Sequence, residues 1–230
     1  MCYNRMAMVS SKLVFSRRRT LALEIDRDGQ LIVRAPYGTP KIYIDRFVAE
    51  KKEWIETHAA RMRRRRARYG ALTLREGETL PILGRNVTLR MTEENGISFK
   101  ETSGELFFPV TAAKVDLQRY LYGLLKEFLQ RLVSRYAALM QLPQLPAPPF
   151  SLSKARTRWG SCSSRGHLRF NWHLVFCTPS AVEYVVVHEL CHLFSMHHDR
   201  VFWSYVESYL PDRKVREGWL KQNQGVMEIL

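Results

Sequence analysis

The run Val185 to Trp203, VVVHELCHLFSMHHDRVFW, constrains this chain more than any other stretch. It holds His188, Glu189 and His192 in the order His-Glu-x-x-His. Positions four apart lie above one another on an α-helix, so His188 and His192 can each direct a ring nitrogen at one ion. Glu189 stands about 100° further round the helix, beside such an ion and not on it, where a base that takes a proton from water belongs. Zinc lowers the pKa of a water it binds from about 15.7 to about 7. The pattern therefore predicts one Zn2+ ion held by histidines, with Glu189 as the catalytic acid and base.

A catalytic zinc usually takes three protein ligands, so a third must be close by. His198 follows His188 by ten residues, the offset found in the longer pattern His-Glu-x-x-His-x-x-Gly-x-x-His, and it is the expected third ligand. Ser195 stands where that pattern has its turning Gly, and the neighbouring His197 is the competing ligand. The segment before the histidines, Ala181 to Val187 (AVEYVVV), is apolar and β-branched, which predicts a buried helix. Burying two imidazoles and a carboxylate there would cost on the order of several kcal/mol without a partner, and a metal supplies one.

With 230 residues, 46% of them hydrophobic, the chain can bury one large core or two small ones. No apolar run approaches the roughly 20 residues of a membrane helix, and Met1 to Phe15 mixes polar and apolar residues. We therefore expect a cytoplasmic protein with no membrane partner. Cys2, Cys162, Cys177 and Cys191 contain no C-x-x-C pair and are expected as reduced thiols, with Cys162 or Cys191 the alternative metal ligand.

The net charge of +14 favours polyanionic partners. Its densest run, RMRRRRAR, offers Arg61, Arg63, Arg64, Arg65, Arg66 and Arg68 as contacts to nucleic acid or nucleotides, against the plain alternative of a solvated basic face. It ends a predicted helix, Ile42 to Arg66. Strands are predicted before it at Leu21 to Ile25 and Leu31 to Arg34, around an Asp28-Gly29 turn. A small antiparallel sheet is expected from Thr79 to Leu83, Asn86 to Met91, Ile97 to Lys100 and Glu105 to Phe108. Apolar residues at three- and four-residue steps predict a long core helix over Ala113 to Leu142, ended by the proline-rich Pro143 to Pro149. Strands at Phe150 to Lys154 and Leu168 to Trp172 then flank a loop, Arg156 to Gly166, before a helix that starts at Pro179.

The loop RTRWGSCSSRG, the strand HLRFNWHLVF, the helix VEYVVVHELCHL and the tail HHDRVFW together resemble the YgjP-like metallopeptidases, relatives of the SprT-like and WLM zinc proteases. The resemblance covers nearly the whole chain. It implies a minimal zincin core with His188, His192 and His198 as ligands, Glu189 as acid and base, and a peptide or protein as substrate. His197 occupies a position where the family commonly has Asn, so the choice between the two neighbouring histidines stays open.

The expected architecture is α+β, with a strand-rich region and one Arg-rich helix in 1–110, and the long helix plus a zincin-like core in 111–230. Arg158 and Asn171 are candidate donors to a developing oxyanion; alternatively Arg158 pairs with an acid and Asn171 fixes the loop. Trp159, Phe202 and Trp203 are expected to pack beneath the site. Glu183, Asp199, Glu207 and Asp212 are candidate partners for the outer nitrogens of the ligand histidines. Three rival functions stand beside zinc-dependent peptide hydrolysis: a metal-dependent phosphohydrolase acting on nucleotides, a nucleic-acid-associated protease docking through Arg61 to Arg68, and a non-catalytic zinc-stabilised binding module.

Overall fold

The computed structural model describes residues 11–26, 29–69, 73–142, 147–155 and 157–229. The fold is α+β, and the chain divides into two compact units, Met1–Ala71 and Leu72–Leu230. The second predicted strand set therefore falls in the larger unit, together with the long helix and the metal motif, whereas the sequence reading placed a boundary at 110/111.

The smaller unit is a three-stranded sheet with two helices. β1 (Ser11–Ser16), which the pattern did not reveal, pairs in parallel with β3 (Leu31–Pro36), and β2 (Ala22–Ile25) pairs antiparallel with β3. The β2–β3 turn closes as Asp26 N–H donates to Gln30 O (2.9 Å), with Gly29 at φ +76°, a left-handed value that glycine adopts without strain. Asp28, the other half of the predicted turn, lies outside the described residues. One predicted helix proves to be two, α1 (Lys41–Glu50) and α2 (Lys52–Tyr69). They part at Lys51, where the backbone leaves helical values (φ −103°, ψ 15°) and the N–H closes a tight turn onto Val48 O. Ile44, Val48 and Ile55 still share one core with Leu31, Val33 and Ala35. The arginine run is helical to Tyr69. Of the candidate arginines, only the Arg63 side chain is described, and it is exposed.

The larger unit opens with a four-stranded sheet of β4 (Thr79–Ile82), β5 (Arg85–Thr92), β6 (Ser98–Lys100) and β7 (Glu105–Pro109) in the order β4-β5-β7-β6. It is mixed where an antiparallel sheet was expected, because β7 returns between β5 and β6 and runs parallel to β5. That register sets Leu106 beside Leu89, and both are wholly buried. α3 (Lys114–Leu139) buries Leu117, Leu121, Leu125, Leu129, Leu132, Val133 and Tyr136 along one face. Val115 and Leu139, apolar residues near the two ends of the helix, are exposed.

β8 (Phe150–Ser153), β9 (Gly160–Cys162) and β10 (Leu168–Asn171) form a third sheet with β10 in the middle. β9 lies inside the stretch read as a loop, and Trp172, read as the end of a strand, opens a 3-10 segment, Trp172–Phe176. α4 (Pro179–Cys191) is the centre of this unit, packed against α3, β9, β10 and the two C-terminal helices, α5 (Arg200–Tyr209) and α6 (Arg213–Gln222). It is apolar on nearly every side, as a helix enclosed by its neighbours must be. Among the described residues no helix is long and apolar enough to cross a membrane.

Candidate metal centre

α4 starts with Pro179 in its first turn, where a missing N–H costs nothing, and ends at Cys191 with His192 as its cap. The next residues tighten at once: Phe194 and Ser195 N–H both donate to Cys191 O, at 3.0 and 3.1 Å. Ser195 stands in for a turning glycine without strain, since it is not among the described residues with positive φ. Its carbonyl accepts from His192 Nδ1 (3.1 Å), and its hydroxyl donates to His197 O (3.2 Å). The first bond turns the other ring nitrogen of His192 inward, and the second holds the returning loop. Asp199 then caps α5, accepting from Phe202 N–H at 2.9 Å, so His198, the residue before that cap, is fixed in place.

The result is a convergence of three imidazoles. One ring nitrogen from each of His188, His192 and His198 lies within 4.8 Å of the others, and the Nε2 atoms of His188 and His198 are 3.0 Å apart. Two ligands of a tetrahedral zinc, each about 2.0 Å from the ion, stand about 3.3 Å apart, so the spacing fits one such ion. His197 is exposed and outside this group, and neither Cys162 nor Cys191 joins it. Burial, and then the neighbouring histidines, push the His188 pKa down to about 3; burial also lowers that of His192. Both rings are therefore neutral at pH 7, the form that binds a metal. His188 Nδ1 is buried with no hydrogen-bond partner among the described residues.

Aromatic rings form the floor. Phe202, wholly buried, stacks on His192 (4.6 Å between centroids) and meets His188 and His198 edge-on. Trp203 stacks on His198 at 5.6 Å, and the Arg213 guanidinium lies over the Trp203 ring, 4.1 Å from its centroid. The packing role expected of Phe202 and Trp203 is what their contacts describe.

Glu189 is 5% exposed, and the described residues supply its carboxylate with no hydrogen bond. Burial pushes its pKa up to about 8, with the Arg158 charge pulling the other way. A cation held by the adjacent imidazoles would bring it down again. A cleft of about 290 Å³ opens onto His188 and Glu189, walled by Trp159 and Gly160 on one side and Glu217, Leu220, Lys221 and Gln224 on the other. Tyr184 lines it too, one helical turn before His188 and with its ring 5.8 Å away. Neither Tyr184 nor Gly160 was singled out from the sequence. Four-residue spacing from His188 was a signal for the tyrosine, but nothing local marked the glycine.

Asn171 and the four acidic residues are engaged in other bonds, whereas the Arg158 charge reaches Glu189. Asn171 donates its amide to Ala155 O (2.7 Å) and Arg158 O (2.9 Å) and accepts from His173 N–H (3.0 Å), so it ties the loop before β9 and has no amide proton left for an oxyanion. Arg158 is exposed. None of the four acidic residues proposed as histidine partners takes that role: Glu183 holds Tyr136 and Arg216, Asp199 caps α5, Glu207 binds Arg213, and Asp212 binds Arg216.

Compared with known protein families, residues 19–223 match the one described as YgjP-like, metallopeptidase domain. The chain belongs to the YgjP-like metallopeptidase family. Searches of curated proteins and of solved structures returned no significant match. Membership in this metallopeptidase family makes the chain a metal-dependent hydrolase by kind, and its three convergent histidines are the residues able to hold the ion.

Proposed function

We propose that this protein is a zinc-dependent peptidase in which Glu189 moves the proton of the attacking water. The observation that carries this reading is the convergence of three imidazoles, one of which, His188, opens on the same cleft as a buried carboxylate, Glu189, that no hydrogen bond from the described residues holds. His188, His192 and His198 would hold the zinc. Bound there, zinc would polarise the scissile carbonyl and lower the pKa of water to about 7. Glu189 accepts the proton as water attacks and returns it to the leaving amine, work that suits a carboxylate free of other hydrogen bonds. The Tyr184 phenol, its pKa pushed up to about 12 by burial, stays protonated and able to donate into the cleft. Metal analysis and peptide hydrolysis by wild type and Glu189→Gln test the reading. The variant should keep its zinc and lose about 10²–10⁴ in turnover; full turnover in it would remove Glu189 from the mechanism.

A second reading concerns how a protein substrate is found. Residues 1–71 carry 17 Lys and Arg against 7 Asp and Glu, so +10 of the net +14 belongs to fewer than a third of the residues. We infer a docking role for that unit on nucleic acid, with Arg61 to Arg68 at its densest point and DNA-bound or RNA-bound proteins as substrates. Binding to a random DNA duplex should fall steeply with salt, and replacing the six arginines of that run should flatten the slope. A slope unchanged by those replacements would reduce the run to a solvated face.

A further inference from the structure

We infer that Gly160 is a positioning residue, whose lack of a side chain reserves the space in which the Glu189 carboxylate stands. A Cβ built on Gly160 lies 2.6 Å from Glu189 Oε1, 2.7 Å from Cγ and 2.9 Å from Cδ, closer than real Cβ contacts come. The requirement is one of size, because Gly160 is not among the residues with left-handed φ, and its backbone suits any residue.

Three elements meet there, and the one that yields decides the effect. The Gly160 backbone is held on both sides. Within the sheet it pairs with Phe170, and just before it Asn171 N–H donates to Trp159 O at 2.7 Å. The Asn171 amide also grips Ala155 O and Arg158 O, and Asn171 itself is wholly buried. The α4 backbone is no softer, since Val186, Val187, Leu190 and Cys191 around Glu189 are all wholly buried. What remains is the Glu189 side chain, which no hydrogen bond from the described residues restrains. A methyl group at position 160 therefore displaces the carboxylate from its place beside the imidazoles. Its consequence for turnover rests on the peptidase reading; the steric coupling does not.

The experiment is a double-mutant cycle on the full-length zinc-loaded protein, comprising wild type, Gly160→Ala, Glu189→Ala and the double variant, each measured by thermal melting and peptide hydrolysis. Gly160→Ala should lower Tm by roughly 2–12 °C, the range expected of overpacking in a domain of this size, and less than half as much once Glu189→Ala has made room. Its turnover should fall at least about tenfold with zinc content kept and KM within about threefold, the pattern of a displaced proton carrier. Equal melting penalties in the two backgrounds overturn the assignment, as does undiminished turnover in Gly160→Ala beside an active wild type. An inert wild type counts against the peptidase reading alone, and the melting cycle still decides on Gly160. Should Gly160→Ala fail to fold, the inference requires the double variant to fold; failure of both would overturn it.

Discussion

Glu183 and Glu189 sit on the same helix, less than two turns apart, yet their surroundings differ in kind. Glu183 accepts from the Tyr136 hydroxyl at 2.7 Å and from Arg216, and Arg135 stands 3.7 Å away. Burial acts to raise its pKa, but the bonds from Arg216 and Tyr136 prevail and hold it below the usual value. Six residues on, Glu189 is buried beside apolar residues and imidazoles, and burial alone carries its pKa up to about 8. One carboxylate is saturated by partners and ties α4 to α3 and α6. The other receives no hydrogen bond from the described residues, at a cost in stability that a merely structural glutamate has no reason to incur.

The contrast can be broken in several ways. The largest effect is expected at Glu189: its replacement by Gln should remove about 10²–10⁴ of turnover without lowering Tm, since no hydrogen bond from the described residues is lost. A fall in Tm comparable to that of Glu183→Gln would show that Glu189 is structural as well. Next come the ligands. His198→Ala should weaken zinc binding by more than the roughly 10–100-fold that a lost outer-shell partner costs, while His197→Ala leaves it unchanged. Zinc titration with a competing chelator reads both, and the reverse ranking would exchange the two histidines.

Glu183→Gln should destabilise the protein by about 1–3 kcal/mol, because Arg216 loses a charged partner in a partly buried site. Turnover per zinc-loaded molecule should hold. That stabilisation also has a pH signature, and its sign follows from the depressed pKa. Between the folded value and the ordinary 4.5 the unfolded chain binds the proton and the folded chain does not, so stability rises with pH across that window. The Tm gap between wild type and Glu183→Gln should therefore be widest at neutral pH. It should close as pH falls through the folded value, where protonated Glu183 is as neutral as Gln. A gap that persists at acid pH would locate the effect in packing.

Much of this site was legible before any coordinates. Four-residue spacing on a helix put His188 and His192 on one face, and ten-residue spacing pointed to His198. The expectation of a metal ion, the family and the α+β class agree with the family match and the fold. Other parts were not legible. Strand β9 hid in a Ser- and Arg-rich stretch because three residues offer no periodicity, and it exists through pairing with β10. β7 entered its sheet parallel to β5 because the burial of Leu106 beside Leu89 outweighed the hairpin order its short loops suggested. For Asn171 the sequence left two roles open, oxyanion donor or loop anchor, and the bonds from its amide to two loop carbonyls, which no local pattern encodes, favour the second.

The sequence by itself determined the chemistry on offer: which residues could ligate, which could carry a proton, and that His188, Glu189 and His192 share one helical segment. Those properties follow from side-chain type and a fixed helical repeat, and neither needs a distant partner. Only the tertiary structure decided which of two adjacent histidines turns inward, which of two glutamates on α4 the described residues leave without hydrogen bonds, and why position 160 has no side chain. Each of these depends on atoms far apart in the chain being brought within a few ångströms, where a methyl group or a single hydrogen bond decides what can stand beside what.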